Sequence, residues 1–190
     1  GSGQIALSGH ATLDRPQLAE SNQLAFSCFD GANLTLNNLE TFSFGSIGLS
    51  GENSQLSLPV LSNIQNSSIV VQDRASLTLP SLTTLNRSTF THRSGPDSVV
   101  SMPVLSNADF SAINVSEGST LALDMVTAVT GFSANVSSPG RFLDVSSLTS
   151  IVVQNVASSF SAFDSAIIDL SGLTEVPQFV TLRVLAGTII

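Results

Sequence analysis

Lysine, tryptophan and tyrosine are absent from this chain, and cysteine occurs once in 190 residues. Each absence removes a class of function. Without Lys, positive charge rests on six basic residues: Arg15, Arg74, Arg87, Arg93, Arg141 and Arg183, scattered along the chain. Nucleic-acid binding needs a clustered basic face, and here the formal net charge is −8 with a pI of about 4.3. No nucleic-acid partner is therefore expected. Cys28 has no partner for an internal disulfide and cannot build a zinc site alone. It alternates with Phe26, so it is expected to point inward as an inert thiol. Lacking Trp and Tyr, the chain has no rings of the kind that sugar platforms use, and its 11 Phe are placed for burial. No stretch resembles a transmembrane helix or a signal peptide. Membrane insertion is not expected, and Gly1-Ser2 reads as an expression scar.

Charge of either sign is scarce. Charged residues make up 11% of the chain, against about 25% in average soluble domains. Ser, Thr, Asn and Gln must cover the surface instead. Such a composition borders on disorder, but a mean hydropathy of +0.35 and regular aliphatic columns argue for a packed core. Sequons at Asn33, Asn66, Asn86, Asn114 and Asn135 are about what so Ser-rich a chain gives by chance.

What is present is a repeat. The pattern Leu-x-Leu-x-x-Leu-x-x-aliphatic recurs along the chain at a nearly constant interval. It appears at Leu34/Leu36/Leu39/Phe42, Leu56/Leu58/Leu61/Ile64, Leu77/Leu79/Leu82/Leu85 and Val100/Met102/Leu105/Ala108. It continues at Leu121/Leu123/Val126/Val129, Leu143/Val145/Leu148/Ile151 and Ile168/Leu170/Leu173/Val176. A regular period of this kind means stacked coils, each burying its apolar face against its neighbours. The position between the first two Leu holds Thr12, Thr35, Ser57, Thr78, Ser101, Ala122, Asp144 and Asp169. Successive steps along this column differ only slightly in length, the small insertions that corner loops tolerate. A second alternating pair follows: Leu24/Phe26, Ile47/Leu49, Ile69/Val71, Phe90/His92, Ile113/Val115 and Ala134/Val136. Period-two alternation with β-branched residues marks strands. Pro59, Pro80 and Pro103 set corners after the first strand, whereas Pro16 sits out of register.

These patterns predict an all-β fold: a parallel β-solenoid (β-helix) of about eight coils with a repeat of roughly 22 residues, spanning roughly 34 Å. A right-handed winding is expected. The alternative is a leucine-rich-repeat-like arc, but aliphatic residues on several sides of the coil favour a closed solenoid. The chain reads as one repeat domain, 1–190: an irregular N-terminal coil over 1–32, regular coils over 33–176, and a C-terminal coil or cap over 177–190.

The segments Ser76–Leu85, Phe142–Ile151 and Ile167–Val176 (SLTLPSLTTL, FLDVSSLTSI, IIDLSGLTEV) resemble the "L-D-L-S-x-L-T-x-I" β-solenoid repeats of large secreted bacterial surface proteins. They also resemble the leucine-rich repeats of surface antigens and the L domains of receptor and fungal cell-wall proteins. The resemblance covers about residues 33–176. It implies an extracellular or cell-surface location and a structural or adhesive role, and it brings no active-site motif.

Candidate chemistry is sparse. Asp144 and Asp169 share an outward column, where paired carboxylates suit a hard cation such as calcium, though solvated surface acids are the simpler reading. Asp124 falls at the corner that Pro occupies elsewhere. His92 lies in an apolar column near Arg93, Arg87 and Asp97, as a core histidine or a general base; His10 has no partner by spacing. No Gly-x-Ser-x-Gly elbow occurs. The coherent feature is hydroxyl. Glu40, Ser62, Thr83, Ser106, Thr127, Thr149 and Thr174 form one column, and Thr35, Ser57, Thr78 and Ser101 form another. Ladders of this kind order water or bind sugars, or simply suit solvent-facing strands. The expected function is a non-enzymatic extracellular module, a stiff spacer or adhesion segment, with no catalytic residue, metal or cofactor. The alternatives are glycan or ice binding by the hydroxyl ladders and a polysaccharide-cleaving β-helix enzyme. Candidate partners are a glycan or other surface polymer, and a second copy stacked end to end, because open coil ends expose sheet edges.

Overall fold

The computed structural model describes residues 3–93, 95, 98–117 and 120–190. Every regular element among them is a β-strand. The strands lie on three faces of a closed coil, so the predicted solenoid is the fold observed, with eight turns between nine stacked strands on its longest side. The leucine-rich-repeat arc, with one irregular side, does not describe a coil that carries strands on all three.

The first face holds the Leu-x-Leu strands, among them Asn33–Thr35, Gln55–Ser57, Leu77–Thr78, Phe142–Asp144 and Ile167–Asp169. The second face holds short strands such as Thr41–Ser43, Asn63–Gln65 and Thr84–Asn86. The third is a continuous nine-stranded parallel sheet running from Gly3–Leu7 to Val180–Leu185. Eight rises at a strand spacing of about 4.8 Å give a stack of about 38 Å. Alternation sends one side chain per strand position inward. Leu34, Leu36, Leu39, Phe42, Ile47 and Leu49 of a single coil are all buried, and each packs on its equivalent in the coils above and below.

The corners explain the repeat length. The first is a β-turn closed by a backbone bond from residue i+3 to residue i, as in Leu61 N–H to Leu58 O and Leu82 N–H to Leu79 O. Pro59, Pro80 and Pro103 occupy position i+1, whose φ proline already satisfies. Asp124 takes that same position in the turn closed by Val126 N–H and Leu123 O. The second corner turns on one left-handed residue per coil. Gln23, Phe44, Asn66, Arg87, Phe110 and Gly131 all have φ between 47° and 60°. Each of the first five donates its N–H to the carbonyl of the next coil, for example Asn66 to Asn86 O at 3.0 Å. Gly45 follows this corner, and a Cβ there would collide with Leu24 O, so only glycine fits.

The first coil differs from its expected alignment. Asp14, not Thr12, pairs with Thr35, and Thr12 pairs with Asn33. The first step is therefore shorter than expected, and Pro16 stands at the same corner as Pro59: Leu18 N–H closes its turn onto Arg15 O. Arg15 hides this register in the sequence, because it fills the column that Leu36 and Leu58 fill elsewhere. A charged residue is tolerated there because Arg15, on the end coil, is exposed. The third-face pair in this coil is likewise displaced. Phe26 and Cys28 oppose Ile47 and Leu49, which places the Cys28 thiol in the core. At the other end, Val180–Leu185 and Thr188–Ile189 continue both sheets in register.

Candidate functional site

The hydroxyl columns occupy definite places. Thr35, Ser57, Thr78 and Ser101 point outward on the first face, with Ala122, Asp144 and Asp169 continuing the column. The sheet on this face opens between Gln55–Ser57 and Leu77–Thr78, which are not hydrogen-bonded to one another. A shallow recess of 380 Å³ lies there, lined by Ser57, Thr78, Ser76 and Gln55. Ser62, Thr83, Ser106, Thr127 and Thr149 form the second column, between the first and second faces, and Thr174 is exposed beyond them. Four hydroxyl protons of this second column are committed. Ser62 Oγ donates to Glu40 O at 3.2 Å, Thr83 Oγ1 to Ser62 O at 3.1 Å, and Ser106 Oγ to Thr83 O at 3.4 Å. Thr149 Oγ1 donates to Thr127 O at 3.1 Å. Each hydroxyl thus ties its coil to the one before and offers solvent only acceptor lone pairs.

A third hydroxyl ladder, buried and absent from the sequence reading, locks the second corner. Ser67, Ser88 and Ser111 are buried there. Ser88 Oγ accepts from Ser67 N–H at 3.1 Å and donates to Asn86 O at 2.8 Å. Ser111 Oγ accepts from Ser88 N–H at 3.1 Å, and Ser67 Oγ donates to Gln65 O at 2.7 Å. Buried backbone groups need partners, and at this corner the serines supply them. The available signal was the placement of Ser shortly before Ile69, Phe90 and Ile113, obscured by the abundance of Ser elsewhere.

Asp144 and Asp169 are neighbours in register. Each carboxylate accepts the N–H two positions ahead: Ser146 at 3.0 Å and Ser171 at 2.8 Å. Both are thus Asx turns that shape the first corner. Among the described residues no group of three or more His, Cys, Asp or Glu is placed to hold a metal ion. His92 is fully buried, with Nε2 2.9 Å from Ser98 Oγ. Ser98 Oγ in turn donates to Ala75 O at 2.6 Å. Its proton is therefore used, so Nε2–H is the donor. Nδ1 is buried without a partner among the described residues, and burial lowers the imidazole pKa to about 4. A serine activated by histidine needs the opposite polarity. Asp97, grouped with His92 by sequence, lies outside the described residues. Burial also raises the Cys28 thiol pKa, which keeps it protonated and unreactive.

The second face carries carboxamides that form no hydrogen bond within the protein among the described residues. Its outward columns read Glu20, Thr41, Asn63, Thr84 and Asn22, Ser43, Gln65, Asn86. Thr84 bridges onward to Asn107. The left-handed corner residues Phe44, Asn66, Arg87 and Phe110 form a ridge along its edge. Phe44 is 59% exposed, and Arg87 lies over the Phe110 ring at 5.3 Å. Not all phenylalanines are buried, then, and Phe44 and Phe110 stand where the sequence offered no cue beyond their place after the second strand.

Among the described residues no helix is long and apolar enough to cross a membrane. The chain matches no protein-family model, no curated protein and no solved structure.

Proposed function

We propose that this chain is a non-enzymatic, stiff repeat module of a secreted or cell-surface protein, acting as a spacer that holds an adhesive surface away from its anchor. The observation that carries the reading is the uninterrupted third face. Nine parallel strands lie in one ladder, and the first and last of them sit at opposite ends of the stack. Force applied along the axis meets this ladder at every coil, with the shorter sheets of the other two faces beside it. The resemblance of the repeats to those of bacterial surface proteins and L domains supports the same reading, as does a surface covered by uncharged polar side chains.

Glycan or ice binding through the two predicted hydroxyl columns is the second reading. The committed protons of Ser62, Thr83, Ser106 and Thr149 weigh against it for the second column, because those hydroxyls must give up their bonds to the preceding coil before they can donate to a ligand. No specific observation favours the polysaccharide-cleaving alternative. The test of the spacer reading is mechanical. Donor and acceptor dyes placed near the two ends are expected to give one narrow distance distribution that is unchanged by crowding or moderate salt. A broad distribution would show a flexible chain and refute the proposal.

A further inference from the structure

We infer that the second face is a docking strip for an extended, uncharged polysaccharide lying along the solenoid axis; this deepens the surface-module reading and rests on it. Three observations converge. First, Gln65, Asn66 and Asn86 lie on adjoining coils, and their carboxamides form no hydrogen bond within the protein among the described residues. A carboxamide holds a donor and an acceptor in one plane, the arrangement that pairs with two neighbouring sugar hydroxyls. The strip is bounded by groups that are already satisfied: Asp109 accepts from Thr130 N–H at 2.7 Å and from Asn107 Nδ2 at 3.2 Å.

Second, Phe44 and Phe110 flank the amides along the corner ridge. Exposed Phe is costly in solution, and an aromatic ring beside polar groups suits a sugar ring, which has one apolar face. Arg87 stacks on Phe110 at 5.3 Å and so has its planar donors held in place. The exposed Phe44 ring takes the place of the Trp and Tyr the chain lacks.

Third, the spacing matches a polymer. Successive coils rise by about 4.8 Å, close to the length of one pyranose residue in an extended chain. A polysaccharide parallel to the axis meets the same column on each coil, so weak contacts add. The net charge of −8 disfavours a polyanion, and carboxamides pair with hydroxyls without any charge on the polymer.

The experiment uses the whole chain. Mobility is measured in native gels containing hydroxyethylcellulose or mixed-linkage β-glucan, and retention on insoluble cellulose and chitin, with polygalacturonate as the anionic comparison. At least one uncharged polymer is expected to retard or retain the wild type. Retention is expected to fall at least tenfold in the double variant Gln65→Ala/Asn86→Ala and severalfold in Phe44→Asn. Asn tolerates the left-handed backbone at that corner, as Asn66 does one coil on, so the ring is lost and the turn is kept. Ser46→Ala/Ser68→Ala on the third face is expected to bind as the wild type does. Equal urea midpoints establish that the variants fold. Binding to no uncharged polymer, equal binding by all variants, or preference for polygalacturonate would each overturn the inference. None of these outcomes touches the end-to-end distance distribution, so the spacer reading stands or falls separately.

Discussion

Lowering the pH from 7 to 4 is expected to destabilise this protein through His92, by an amount set by its burial. In the folded chain the imidazole is fully buried between Val71 and Val115 in the ladder, and its pKa is lowered from 6.5 to about 4. In the unfolded chain it titrates near 6.5. Between these values the unfolded state binds a proton that the folded state does not, so stability falls as pH falls. The loss begins near pH 6.5 and is complete near pH 4. The gap between 6.5 and about 4, at about 1.4 kcal/mol per pH unit, gives about 3 kcal/mol. His92→Leu removes the group and the orphaned Nδ1 while leaving Ser98 Oγ its bond to Ala75 O. At pH 7 the variant is expected to lie within about 1 kcal/mol of the wild type, since one neutral hydrogen bond is exchanged for apolar packing. By pH 4 it is expected to be more stable than the wild type by about 3 kcal/mol relative to that starting difference. Other titrating groups are common to both proteins and cancel in the comparison. Tryptophan and tyrosine being absent, urea unfolding is followed by far-ultraviolet circular dichroism at pH 7, 5.5 and 4. Parallel stability curves for the two proteins would refute the reasoning.

The ladders and the open end give further tests. Ser88→Ala orphans Ser67 N–H in a buried corner, while Asn86 O keeps its bond from Asn66 N–H, and is expected to cost about 1–3 kcal/mol in urea unfolding. Ser106→Ala, which loses an exposed hydroxyl donating at 3.4 Å, is expected to cost under about 0.5 kcal/mol; equal costs would contradict the assignment of the buried serines as the lock. Ser21 Oγ is buried without a partner among the described residues, in the inward column of Phe42, so Ser21→Ala is expected to raise stability by about 1 kcal/mol, and a fall of that size would show a partner exists. On the last coil Leu182 and Val184 continue the core column and are 45% and 48% exposed. Sedimentation of concentrated protein is expected to show self-association that Val184→Lys abolishes without lowering the urea midpoint; a wild type that stays monomeric at every concentration would remove end-to-end stacking.

Much of the fold was legible because burial in a solenoid is periodic. Leu34, Leu56 and Leu77 are buried for one reason, repeated, and their near-constant spacing exposes that reason directly. The corners were half legible. Pro59, Pro80 and Pro103 announced the first, since proline presets the turn. The second was hidden, because Phe44, Asn66, Arg87 and Phe110 share a left-handed backbone and no side-chain chemistry. The first coil misled for a related reason: Arg15 breaks the apolar column where the column no longer needs to be apolar.

The polar surface was less legible, and the cause is physical. A Ser or Thr that recurs at the coil period looks alike whether its hydroxyl faces solvent or bonds to the neighbouring coil. The sequence specifies the column but not the direction of the proton. Ser88 and Thr83 illustrate this: the first is buried and holds two backbone groups, and the second is exposed yet still donates to Ser62 O. Carboxamides behave differently. Gln65 and Asn86 close onto no carbonyl of a stacked coil among the described residues and so remain available, but they differ in type and gave no repeating letter to notice. In a repeat protein the columns that recur are the ones the stack itself requires, and a ligand-binding surface is better sought where side chains depart from the repeat. Here that departure is concentrated on the second face, between Phe44 and Phe110.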